Sequence, residues 1–125
     1  MKPINFDKVI ISWLDINSCD NAWNTEEDLK DLVPAMCTTI GYLYEENKDW
    51  VKTFATYSFN TDSLDEFDKL LPAKCTTIGY LYEDNKDWIK TFATYSINEN
   101  SEDFDIGDAV VIPRGCILSI KKIEN

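Results

Sequence analysis

Residues 37–58, CTTIGYLYEENKDWVKTFATYS, return at 75–96 as CTTIGYLYEDNKDWIKTFATYS, and only Glu46/Asp84 and Val51/Ile89 differ. At the same offset of 38, Leu29, Leu32, Val33, Pro34 and Ala35 meet Phe67, Leu70, Leu71, Pro72 and Ala73. The copied unit therefore starts upstream of the cysteine and is bounded as 26–63 and 64–101. This repeat constrains the fold more than any other feature of the chain. Two near-identical hairpins compete for the same pairing partners, so one completes the original plan while the other extends a sheet or pairs with a neighbouring chain. The expectation is a homo-oligomer.

The elements follow from alternation and punctuation. Val9 to Asp15 is short, β-branched and aromatic, with Val9, Ile11 and Trp13 on one face and Ile10 and Leu14 on the other, which predicts a first strand. Asn17 to Asn24 is polar and turn-rich. Thr25, with Asp28 three positions on, is placed to cap a short helix through Leu29, Leu32 and Val33 that stops before Pro34. The copied block reads as a hairpin, Cys37–Glu45 and Trp50–Ser58, joined by a turn through residues 46–49. Gly41 inside the first strand predicts a bend or a close approach of another backbone. The second unit opens on a capping box, Ser63 with Glu66, predicts a helix ending before Pro72, and repeats the hairpin from Cys75 to Ser96. A polar, acidic loop is expected over 98–108. The tail gives two further strands, Ala109–Ile112 and Cys116–Ile123, around a tight corner at Pro113, Arg114 and Gly115.

With one copy removed, the order is strand, helix, hairpin and two strands joined by a very short turn. Short strands with sharp corners bend a sheet until it closes, which removes exposed edges. The expected fold is mainly β in a single domain, 1–125: a small barrel or strongly bent antiparallel sheet with one or two short helices, extended by the duplicated helix–hairpin unit.

The formal net charge of −11 disfavours direct binding to a phosphate backbone, and Lys52, Lys90, Lys121 and Lys122 are too few for a basic groove. An acidic surface serves solubility, or in a sharper reading acts as a decoy of DNA. Cys19, Cys37, Cys75 and Cys116 lack metal-type spacing, which argues against a disulfide framework or zinc site and for a reducing, cytoplasmic setting. The start MKPINFDKVIISW has no signal-peptide pattern, and no stretch is long enough to span a bilayer.

The chain has no histidine, no GxxxxGK[ST], no GxGxxG and only four glycines. The usual general base and the glycine-rich phosphate cradle are both missing, so the expectation is a non-catalytic protein without cofactor or metal. The candidate ligand-binding residues are Trp13, Asp15, Trp23 and Arg114. Trp13 and Trp23 offer stacking faces or serve as core and rim packing. Asp15 accepts from a ligand or caps its own loop. Arg114, the one arginine, presents a planar fork to an anion or pairs with a nearby acid at its turn. Tyr42, Tyr44, Tyr80 and Tyr82 form two matched pairs, fit for cross-strand packing or for an interface with another subunit. Asp49 and Asp87, each before a tryptophan, read as turn residues.

The residues WLD at 13–15, Trp23, CTTIGYL at 37–43 and IPRGCI at 112–117 make the chain resemble a family of uncharacterised small bacteriophage proteins. The resemblance implies an Sm-like or related small β-barrel fold, a phage origin and the host bacterial cytoplasm as working site. It supplies no activity, and the duplication departs from the family's shorter pattern. Three roles follow as expectations: an accessory, counter-defence module that sequesters a small anionic nucleotide signal or docks on a host protein; an acidic decoy that blocks a host nucleic-acid-binding protein; or a structural phage protein.

Overall fold

The structure is a computed structural model that describes residues 5–19, 21, 23–55, 68–97 and 104–123. Its elements include the strands β1 (Lys8–Asp15), β2 (Asn17–Ser18), β3 (Ala35–Glu46), β4 (Val51–Phe54), β5 (Tyr80–Asp84), β6 (Trp88–Phe92), β7 (Thr94–Ile97), β8 (Phe104–Gly107) and β9 (Val110–Pro113), and the helix α1 (Glu26–Asp31) after β2. The chain is mainly β. The strands form three sheets, in the orders β1-β3-β4, β2-β9-β6-β5 and β7-β8, and none closes on itself among the described residues. Residues 1–13 and 38–76 make one compact unit, and 14–37 with 77–125 make another.

In the unit of residues 1–13 and 38–76, β1 lies along the outer edge of the first hairpin. The Leu43 N–H donates to the Asp7 carbonyl at 2.7 Å, and the Trp13 indole Nε1 donates to Thr39 Oγ1 at 2.8 Å. Phe6 packs edge-on against Phe54 at 4.9 Å, and Tyr42 stacks on Phe54 at 5.5 Å.

In the other unit a helix packs against strands. The Thr25 hydroxyl accepts from the Asp28 N–H and the Asp28 carboxylate accepts from the Thr25 N–H, the reciprocal cap that the spacing predicts. Glu26, Glu27 and Asp28 sit in the first turn and Lys30 in the last, matching the helix dipole. Leu29 and Leu32 are buried with Ile106, Ala109 and Val111, flanked by Trp88, Phe92 and Phe104. Burying each of the leucine, isoleucine and valine side chains contributes roughly 1.5–3 kcal/mol.

Several expectations change. The return strand of the second hairpin does not run unbroken to Ser96: it stops at Phe92, and β7 turns to pair with β8, Tyr95 opposite Ile106. Within the expected loop 98–108, Phe104–Gly107 is a strand, fixed on its other side by reciprocal 2.7 Å bonds between the backbones of Asn24 and Ile106. Acidic neighbours in FDIGD hide a strand whose one large aliphatic, Ile106, is fully buried. Cys116–Ile123 is not a strand: a single 3-10 turn spans Arg114–Cys116, and Leu118 to Ile123 stay exposed. Its alternation suits a strand, but a strand also needs a neighbour to satisfy its backbone, and no described strand takes this segment up. The predicted Ser63 cap and most of its helix, and the loop residues 98–103, lie outside the described residues.

Candidate functional site

Each hairpin is built from the same local network. Asn47 Oδ1 accepts from the N–H groups of Asp49 (2.8 Å) and Trp50 (2.9 Å), while the Trp50 indole and the Asn47 amide both donate to Glu45 Oε1 at 2.8 Å. Asn85, Asp87, Trp88 and Glu83 repeat this arrangement, with the Trp88 indole at 2.8 Å from Glu83. Asp49 and Asp87 are thus turn residues, as the sequence suggests. Gly41 and Gly79 lie so close to the return strand that a Cβ on them would stand 2.9 Å from the Phe54 carbonyl oxygen and 2.8 Å from that of Phe92.

Two lysines do what sequence reasoning missed. Lys90 is almost fully buried, and its Nζ donates to the Leu29 and Lys30 carbonyls, 3.0 and 2.8 Å away, at the end of α1. The last carbonyls of a helix lack full internal pairing, and here the Leu29 carbonyl also accepts from the Leu32 N–H at 3.3 Å. Lys52 Nζ donates to the Asp68 carbonyl at 3.0 Å. Asp68 is the copy of Lys30 (68 − 30 = 38), as Lys90 is the copy of Lys52 (90 − 52 = 38). Each hairpin therefore grips the segment belonging to the other copy. The readable signal is the Trp-x-Lys spacing, which puts lysine and tryptophan on one strand face: the ammonium groups lie 5.9 Å from the Trp50 ring and 5.7 Å from the Trp88 ring.

Arg114 donates to the Asp84 carboxylate and, at 2.7 Å, to the Asn85 carbonyl, while its own N–H donates to the Asp87 carbonyl at 2.9 Å. Its fork clamps the β5–β6 turn. Asp15 accepts from the next N–H, that of Ile16, at 2.8 Å, the local capping its position allows. Trp13 is tied to Thr39 yet 43% exposed. Trp23 is 54% exposed and sits one residue before the buried, doubly bonded Asn24.

The tyrosines divide by position. Tyr42 and Tyr80 stack on Phe54 and Phe92, both at 5.5 Å. Tyr44 and Tyr82 are the extra residues of two β-bulges, where the register steps from Leu43 to Glu45 and from Leu81 to Glu83. Tyr44 donates to the Asp68 carboxylate and Tyr82 to Glu26 at 3.2 Å. Burial, then the hydrogen bond and charge of Glu26, push the Tyr82 phenol above its ordinary value.

Among the described residues no group of His, Cys, Asp or Glu side chains is placed to hold a metal ion, and no described helix is long and apolar enough to cross a membrane. No known family, curated protein or solved structure matches the chain. The residues singled out by sequence take separate local roles. They resolve into turn clamps (Arg114, Asp15), cross-strand packing (Tyr42, Tyr80), acid-bonded bulge residues (Tyr44, Tyr82) and exposed indoles (Trp13, Trp23).

Proposed function

We propose that this chain is a non-catalytic accessory binding protein of bacteriophage origin that docks on a host protein in the bacterial cytoplasm. The observation that carries the reading is Trp23, more than half exposed, held at a bend by the fixed pairing of its neighbour Asn24 with Ile106. An exposed indole on an ordered backbone gives up little freedom on binding, and tryptophan is enriched among the residues that dominate protein interfaces. Capture of a nucleotide is disfavoured because the fork of Arg114 is engaged by Asp84 and Asn85. An acidic decoy is disfavoured because Asp15, Asp28, Glu45, Glu83 and Asp84 are spent on internal bonds.

The strand orders support a small Sm-like barrel as the plan from which the duplicated chain derives. β1 flanks the outer strand of the first hairpin, β9 flanks the return strand of the second, and β2 lies on the far side of β9. A chain with one hairpin would have the order β1-hairpin-β9-β2, and only Ile16 separates β1 from β2. The two ends of that sheet would be one continuous strand, which closes it.

The test is affinity capture from host cells with the wild-type protein and Trp23→Ser, alongside calorimetry with cyclic and ADP-ribose-type nucleotides. The expected result is one host protein retained by wild type and lost in Trp23→Ser at unchanged circular dichroism, with no nucleotide heat. Nucleotide binding that vanishes in Arg114→Ala overturns the reading.

A further inference from the structure

The two hairpins share the sequence CTTIGYLYE, but their outer edges differ in occupancy. On the first copy the edge is taken by β1, through Leu43 N–H to Asp7 and Trp13 to Thr39. On the second copy β5 ends its sheet, and residues 71–81 are exposed throughout, Ile78 at 72%. The first copy shows that this edge accepts a β-branched strand. The second presents it vacant among the described residues, and such edges are templates for strand addition.

β1 of a second copy is not the natural occupant. Each chain has one β1 and two such edges, so moving β1 from one edge to another leaves the number of vacant edges unchanged. The tail is different. Residues 117–123, ILSIKKI, have the alternation and β-branching of a strand, yet form none, and Leu118 to Ile123 are all exposed. One spare strand and one vacant edge per chain match in number.

We infer that the tail of one copy, Ile117–Ile123, adds as a strand to the outer edge of β5 in a second copy. The association joins a donor surface to a different acceptor surface. It closes as a dimer when two copies exchange tails and as a ring when more do.

Light scattering on the full chain over a concentration series tests this, with two variants. Ile120→Pro removes a donor N–H from the tail. Leu81→Pro removes the N–H whose first-copy counterpart bonds Asp7, and leaves its ladder with β6 in place, because that N–H points away from β6. Wild type should be a closed oligomer, and each proline variant a monomer with unchanged near-ultraviolet circular dichroism. A wild-type monomer at every concentration overturns the inference. So does an oligomer that survives either proline variant in a folded state. A monomer whose tail amides are protected from exchange assigns the edge to the chain's own tail, and likewise overturns it.

Discussion

In the first hairpin the outer strand runs twelve residues, Ala35–Glu46; in the second the same sequence yields five, Tyr80–Asp84. Inside the hairpins almost nothing differs: the aromatic stacks, the asparagine turns, the tryptophan–glutamate bonds and the bulges all recur. What differs is the neighbours. The first hairpin has β1 on its outer strand and no described strand beyond β4; the second has β9 on its return strand and none beyond β5. Local sequence therefore sets the hairpin, and neighbouring strands set how far it extends and which positions are buried. The two substituted sites show the second effect directly: Val51 is 44% exposed on β4, while its counterpart Ile89 is 4% exposed under β9.

That contrast gives the largest expected effect. Ile89→Ala should cost about 3 kcal/mol, because it opens a cavity against a packed strand, whereas Val51→Ala should cost under about 0.5 kcal/mol. Urea unfolding of both variants measures the difference. Equal losses would mean that the hairpins have the same surroundings in solution and would break the comparison.

The lysines come next. Lys90→Met should cost about 2 kcal/mol, since it strands the Lys30 carbonyl and leaves the Leu29 carbonyl with the Leu32 N–H alone, and Lys52→Met should cost less, since Lys52 sits at a somewhat less buried position. Hydrogen exchange should show the amides of α1 losing protection in Lys90→Met only. Loss of α1 protection in Lys52→Met would reassign which hairpin holds which segment.

The glycines sharpen the shared part. Gly41→Ala and Gly79→Ala each force a Cβ against a backbone carbonyl that cannot rotate away, and each should cost about 2 kcal/mol. Similar losses, read from thermal unfolding, would support a hairpin geometry independent of its neighbours.

Much of this was legible in the residues. β1, the Thr25 cap, both hairpin turns and the close approach at Gly41 follow from alternation, capping chemistry and glycine placement, whereas α1, expected to run through Val33, ends at Asp31 with Leu32 already extended. Three things were not. The bulges at Tyr44 and Tyr82 add a residue that a period-two pattern cannot register. The burial of Lys52 and Lys90 has no local signal because it depends on acceptors that lie 16 and about 60 residues away in sequence. Cys116–Ile123 has a strand's pattern without a strand's neighbour, and pattern alone cannot supply one. Of the candidate site, the sequence named the exposed indoles; the turn-clamping role of Arg114 required the position of Asp84.

The smallest expected effect separates the bulge tyrosines. The Tyr82 phenol is held protonated by burial first and then by Glu26, whose carboxylate accepts its hydrogen bond, with Glu83 and Glu27 adding the same sign of charge. In the unfolded chain this phenol ionises near 10, its ordinary value, and in the folded chain only above that. The unfolded state therefore loses its proton first as pH rises. The stabilisation from Tyr82 is complete below about pH 10 and is lost as pH climbs toward the folded value. Tyr82→Phe should be slightly less stable than wild type at about pH 8, and the gap should shrink at about pH 11, when the wild-type phenol ionises and its bond to Glu26 is lost. Urea midpoints at the two pH values measure it. A gap that holds constant across that range would mean that Glu26 does not face Tyr82, and would detach α1 from the second hairpin at this point.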